Sequence, residues 1–438
     1  MKKYLLSACF GLALLGAGGT AAVAQSFDWQ SHKGATINLL FNNHPWSQAM
    51  RDLTKEFTAK TGIEIRMDIF NEEQFWARRA TQMQAHSPDI DVFMSLASRE
   101  GHVFDQAGWY VDLLPLVKNP AATMPGFDMT DFSKAVMDGE TVNGKLVGLP
   151  INQEGPLFYW RKDIFAKCGV AEPMAAEDLL PAAEKLKNCA AAHEMGMTVP
   201  WSSRGLRSTL SYNLAAFVYS LGGDFSTPDG KSGLCQPKTL PGLELYAKLL
   251  KDYGPPGALN HTFTQVVELL GQGRVAMAYE SSNEFSNIVH FPNRANDLGV
   301  KSFPPSRATG ISKPAAIGWG ISISAYSKQQ EAAWLFLQWA TSSEIEGRLV
   351  QAGVAPPRAS VFNGATFNAW AAELPIRRAW AESLLAVART GTGFYQAPTD
   401  RVPEARDLTG NVIQQIVLGQ ASVKDAACAG DVELNKLQ

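Results

Sequence analysis

The side chains in this chain best suited to chemistry are polar and aromatic residues that follow short apolar runs. After ATINLLFN come Asn43, His44 and Trp46, with Asn42 closing the run itself. After PDIDVFM come Ser95, Ser98 and Arg99, and after the extended stretch KLVGLP come Gln153 and Glu154. Trp201, Ser203 and Arg204 follow Thr198-Val199-Pro200, and Ser281, Ser282 and Asn283 follow VAMAYE. Trp319 stands in the run IGWGISI, and Arg358 follows Pro356-Pro357. Asn, Gln, Glu and Arg read hydroxyl groups through several directed or charge-assisted hydrogen bonds. The C–H face of a polyol lies flat on an indole, which supplies contact area at low entropic cost. The set therefore suits recognition of a hydroxyl-rich small molecule. Plainer roles compete: Glu154 could pair with Arg161 or Lys162, and Arg99 could be a surface charge. Trp46, Trp201 and Trp319 could pack in a core, and Arg358 could cap a turn. Arg204 and Arg207, if both face one cleft, would suit a negatively charged ligand instead.

Catalytic patterns are weak. The chain has no G-x-S-x-G, H-E-x-x-H or P-loop pattern. Asp89 and Asp91 alternate at a strand end without an obvious partner base, so a carbohydrate-cleaving pair with Glu154 is the lesser alternative. The seven histidines are scattered with no metal-ligand spacing, and neither a metal nor a cofactor is expected.

These residues need elements to hold them. Residues 35–42 read as a buried strand and 48–60 as a helix with Met50, Leu53 and Phe57 on one face, stopping at Thr61-Gly62. Residues 63–70 alternate with period two, 72–86 read as a helix and 88–94 as a third strand. This β-α-β-α-β order implies a largely parallel sheet, and ligands bind such sheets outside the carboxyl ends of their strands. Later, 178–192, 208–221, 240–253, 264–273 and 331–341 read as helices, and 275–279, 300–304 and 317–323 as strands. The stretch TVNGKLVGLPINQEGPLFYWRKD holds an Asn-Gly turn, a short strand and an extended Gly-Leu-Pro. It reads as a hinge strand crossing between two lobes, with Glu154 facing the gap.

A chain of 438 residues is too long for one typical core and suits two lobes. Its hydrophobic content of 46% and charged content of 18% are ordinary for a soluble globular protein. A net charge of −3, falling further once Lys2 and Lys3 are removed, argues against nucleic acid or an anionic membrane surface as partner. Residues 1–24 read as a cleavable export leader: Lys2-Lys3, an apolar run over 5–15, then Ala22-Val23-Ala24. Leu6-Ser7-Ala8-Cys9 resembles a lipoprotein box, but the apolar run continues past Cys9, so lipidation and stable membrane insertion are not expected. Four cysteines remain: Cys168, Cys189, Cys235 and Cys428. In an oxidising compartment they allow two disulfides in three pairings.

The segment GLPINQEGPLFYWRKDIFAKCGV resembles the crossover segment of family 1 bacterial extracellular solute-binding proteins, the sugar-binding receptors of ABC importers. GWGISISAYSKQQEAAWLFLQWATS, SLGGDFSTPDGK and the turn Gln106-Ala107-Gly108-Trp109 resemble further family text. The resemblance implies an α/β, two-lobe periplasmic-binding-protein fold of type II, with hinge strands between lobes. It also implies a periplasmic monomer, not an enzyme, that closes on a sugar, polyol or related polar small molecule and delivers it to ABC permease subunits; the alternative is a charged ligand, such as a sugar phosphate, sugar acid or polyamine. The N-terminal lobe would comprise 25–153 plus 304–342, and the C-terminal lobe 154–303 plus 343–438. The resemblance points to Glu154, four residues past Pro150, as a ligand contact. It places the loops 42–46 and 95–99 at the ligand, and casts doubt on aromatic stacking at Ser281-Ser282-Asn283.

Overall fold

Apolar runs that end in polar loops build two sheets in the computed structural model, which describes residues 26–437. The expected leader lies outside the described residues. The first sheet takes its strands in the order Glu64–Phe70, Thr36–Asn42, Val92–Ser95, Gly320–Ile323, Leu149–Pro150. The first three are parallel, with Leu39 opposite Met67 on one side and Val92 on the other. Gly320–Ile323 is antiparallel to both its neighbours. The expected parallel sheet thus holds for the β-α-β-α-β opening and is closed by a strand from much later in the chain. The second sheet runs Leu298–Lys301, Pro156–Arg161, Val275–Ser281, Val199–Ser202, and only the last pair is parallel. The apolar run at 156–160 is therefore a strand, buried along its whole length because neighbours cover both faces. Its proline sits at the first strand position, where a missing N–H costs little.

Local chemistry sets the boundaries. The helix Pro45–Thr61 starts where His44 Nδ1 accepts from the Trp46 N–H at 3.1 Å and Ser47 Oγ accepts from the His44 N–H at 3.1 Å. It ends at Gly62, whose φ of 72° is open to glycine at little cost. The helix Leu240–Tyr253 falls where its pattern placed it. The helix expected over 178–192 is interrupted: Leu179–Lys187 stops and Ala190–Glu194 restarts, with Cys189 between them bonded to Cys168. The second disulfide is Cys235–Cys428, which resolves the three pairings into one.

Three segments cross between the sheets side by side. The Ile151 N–H donates to the Trp319 carbonyl at 2.8 Å, and the Gln153 N–H to the Ala355 carbonyl at 3.1 Å. At Gly155 any Cβ would run into the Ala315 carbonyl and Val387, so the close approach of two segments requires glycine. Residues 304–313, read above with the N-terminal lobe, bond on the second sheet's side. Ser306 Oγ donates to Glu177 at 2.6 Å and Thr309 Oγ1 to the Ser220 carbonyl at 2.6 Å. Conversely Arg348, read with the C-terminal lobe, pairs with Glu56 on the first helix at 2.6 Å.

Candidate functional site

The carboxyl ends of both sheets face one another across a cleft. From the first side, Asn42, Asn43 and His44 follow the strand Thr36–Asn42, and Trp319 precedes Gly320–Ile323. From the second side come Arg204 after Val199–Ser202, and Ser281 and Asn283 at the end of Val275–Ser281. Glu154, on a crossing segment, stands between them. These residues line an inner chamber of about 50 Å³. Asn43, Glu72, Phe263 and Glu284 also line a larger outer cleft of about 990 Å³, which adds Trp76 and Arg99.

The electrostatics of the chamber are set by burial. Glu154 is 7% exposed and accepts from Ser281 Oγ at 3.0 Å. Burial pushes its carboxyl up to about 7, against the opposing pull of the Ser281 hydroxyl and the Arg204 charge. Glu284 is likewise pushed up to about 7 by burial, and accepts from Asn287 at 2.7 Å. The competing role for Glu154, an ion pair with Arg161 or Lys162, is not seen among the described residues: Arg161 is held by Asp163 and the Gly273 carbonyl. Arg204 donates through Nε to Glu280, which is fully buried, at 2.9 Å, and its guanidinium lies over the Tyr212 and Phe263 rings. Arg207 lies 3.6 Å from Asp407 and is half-exposed, so the two arginines do not form a free anion clamp. His44 is driven down to about 3 by burial and is neutral.

Aromatic surface is supplied at the mouth. Trp76 stacks on Trp319 at 5.4 Å between centroids, with 21° between planes. The Arg99 guanidinium sits 4.5 Å from the Trp76 ring. Arg99 is thus a cleft residue rather than a stray surface charge.

Six of the expected site residues lie elsewhere. Trp46 and Trp201 are fully buried, packing against Phe41 and Phe217 respectively. Each follows the pleat or helix turn that points it into the core. Ser95 is fully buried and shares a 2.7 Å hydrogen bond with Ser322 on the neighbouring strand. Gln153 Nε2 donates to the Pro356 carbonyl at 3.1 Å, tying two crossing segments together. Ser282 Oγ accepts from the Gly155 N–H at 3.3 Å. Arg358, 2% exposed, lies over Phe132 and donates to the Thr341 and Asp128 carbonyls, so it braces the first body.

Other chamber residues were not foreseen: Glu72, Tyr212, Phe263, Glu284, Tyr395 and Arg406. Arg406 is 5% exposed, and burial draws its guanidinium down to about 10. It lies over the Tyr395 ring and forms no ion pair among the described residues. Glu72 and Glu284 do follow strands, two residues after Phe70 and three after Ser281; Tyr212, Phe263, Tyr395 and Arg406 do not, so a search of strand ends passes over those four. Asp89 and Asp91 line neither space; Asp91 is buried and accepts from the Asn38 N–H at 2.7 Å, near the start of its strand. Among the described residues, no group of three or more His, Cys, Asp or Glu could hold a metal. No helix among them is long and apolar enough to cross a membrane.

Residues 42–346 match the family described as bacterial extracellular solute-binding protein. The chain is 27% identical to an erythritol/L-threitol-binding protein of Mycolicibacterium smegmatis, covering 84% of this chain and 80% of that one. It is 27% identical to a mannitol-binding protein of Pseudomonas aeruginosa, covering 88% and 83%. Among solved structures, a solute-binding protein of Agrobacterium radiobacter in complex with ribitol superposes with a TM-score of 0.79 at 22% identity, covering 93% of this chain and 99% of that one. One from Agrobacterium vitis with bound D-mannitol gives 0.77 at 23%, covering 92% and 98%. These structural likenesses establish the two-lobe periplasmic-binding-protein architecture.

Proposed function

Because this chain belongs to the bacterial extracellular solute-binding proteins, we propose that it is the receptor of an ABC importer for an uncharged, hydroxyl-rich small molecule, a sugar or polyol. The observation that carries this reading is the buried chamber where the strand ends of both sheets meet, with Glu154 between them. Carboxyls, amides and guanidinium groups there can each serve a hydroxyl as acceptor or donor. Relatives named for erythritol, L-threitol and mannitol support the same ligand class.

The mechanism is closure. A ligand that touches both bodies shifts the open–closed equilibrium by its differential affinity for the closed form. The bodies would turn about the crossing segments at 151–155, 314–319 and 353–358, and a monomer would carry its ligand from the periplasm to the permease subunits. The test is thermal-shift screening against sugars and alditols. A ligand at a hundredfold excess over its Kd stabilises by about 2.7 kcal/mol. A panel without a single upward shift in Tm would defeat the reading.

Arg406 favours a second reading, in which the ligand bears a negative charge. Arg204, by contrast, is already compensated by Glu280. Calorimetry at low and high salt separates the readings, since binding of a charged ligand weakens as salt rises.

A further inference from the structure

The two spaces differ about twentyfold in volume, and they are joined through Glu72, Asn43 and Glu284. The smaller one is the more demanding. Three of its residues carry a buried polar atom that has no hydrogen-bond partner among the described residues: Asn42 Oδ1, Tyr395 Oη and Arg406 Nε. All three side chains are more than nine-tenths buried, at 4%, 0% and 5% exposure. A buried polar group left unpaired is costly, so three on residues that line one chamber mark a place that a ligand's own polar atoms can complete. One is an acceptor, one a donor, and one can be either. Two neighbouring hydroxyls match that set: one accepts from Arg406, the other donates to Asn42, and Tyr395 serves either. The carboxyl of Glu154, on the same wall, accepts among the described residues only from Ser281 and has lone pairs left to accept.

We infer that the inner chamber is an end-group subsite that grips the terminal diol of an acyclic polyol, with Tyr395 and Arg406 selecting it and the rest of the molecule lying in the outer cleft. A chain end enters a space of about 50 Å³ with its hydroxyls leading, whereas a six-membered ring presents its full width and is held out in the wider cleft. Both selecting residues lie beyond residue 346, outside the segment that matches the family. The inference rests on the receptor reading given above, and sharpens it to one shape of ligand.

The experiment is calorimetry on the exported chain with alditols of three to six carbons and the matching ring-forming aldoses, for example D-mannitol against D-mannose. The expected result is that one alditol binds at least tenfold more tightly than the aldose of the same carbon skeleton. Tyr395→Phe, which keeps the ring under Arg406 and removes only the hydroxyl, should weaken that alditol about tenfold. Arg406→Lys, which keeps the charge and removes Nε, should weaken it at least as much. Unchanged far-ultraviolet dichroism and melting would show that both variants fold. An aldose that binds as tightly as its alditol, or an alditol whose affinity neither variant alters, overturns the end-group subsite and leaves the receptor reading standing. A panel in which neither alditols nor aldoses bind removes both.

Discussion

Glu154 and Ile317 exchange both of their backbone hydrogen bonds, the Glu154 N–H to the Ile317 carbonyl at 2.8 Å and the Ile317 N–H to the Glu154 carbonyl at 2.9 Å. The pairing fixes the backbone of the residue proposed here as a ligand contact to a second crossing segment. The side chain is then free to face the chamber while the backbone forms part of the connection between the two bodies. In the proposed function, binding and closure would therefore meet at one residue.

The two chamber carboxyls give a pH signature. Glu154 and Glu284 are each raised from 4.5 to about 7 in the fold. Between those values the native state holds protons that the unfolded chain has lost, so stability falls as pH rises from about 4.5 to 7. Each shift corresponds to about 3 kcal/mol. Urea unfolding at pH 5 and pH 8 should show a loss that the double variant Glu154→Gln, Glu284→Gln largely abolishes. Equal slopes for the two proteins would contradict the assignment.

His44 acts in the opposite sense. Its value is lowered from 6.5 to about 3, so the unfolded chain takes up a proton that the fold refuses. Its contribution is fully present above pH 6.5 and drains away as pH falls toward 3. His44→Asn keeps a side-chain acceptor for the Trp46 N–H and has no charge to gain. The variant should tolerate acid better, with its denaturation midpoint moved to lower pH.

In the Arg204–Glu280 pair the carboxylate is fully buried and the guanidinium side chain is 11% exposed. Glu280→Gln leaves the guanidinium uncompensated and should cost about 3–5 kcal/mol, whereas replacing both partners with apolar residues of similar volume should cost much less. A double-mutant cycle by chemical denaturation measures the coupling; independent, additive effects would mean that the pair is not held as described.

The tryptophans divide by role. Trp76→Ala removes the stacked surface at the mouth and should weaken ligand binding by about 1 kcal/mol, roughly fivefold. Trp46→Phe and Trp201→Phe should leave affinity unchanged while lowering Tm, because both side chains are wholly inside. Titrations of the three variants with one ligand decide the matter.

The disulfides differ in reach. Cys235–Cys428 spans 193 residues and Cys168–Cys189 spans 21. On loop-closure entropy alone the first stabilises by about 5 kcal/mol and the second by about 3. Peptide mapping without reductant should recover these two pairs, and Cys235→Ser with Cys428→Ser should lower Tm more than the other double replacement.

Much of the frame was legible because local chemistry and tertiary contacts agree. The alternation over 63–70, the strand ending at Asn42 and the helix 240–253 stand nearly where their patterns place them. The lining of the candidate chamber was legible where a residue follows a strand and its side chain turns outward, as at Asn42, Asn43, Glu154, Arg204 and Asn283. Trp46 satisfies the positional rule and fails on direction, which one sequence does not encode at a strand end; Trp201 lies within the strand Val199–Ser202 rather than after it. Tyr395 and Arg406 come from the C-terminal third, whose helical pattern shows an apolar face but not which body's opening it overhangs. Ser95, Ser282 and Gln153 have the chemistry to bind hydroxyls, yet nearby backbone and side-chain groups engage theirs first.

The antiparallel strand Gly320–Ile323 sits between Val92–Ser95 and Leu149–Pro150, yet it is translated after every strand of the second sheet. A chain emerging from its amino end can therefore assemble the later sheet by Lys301 while the earlier one still has a gap in its middle. The body that starts first is finished second.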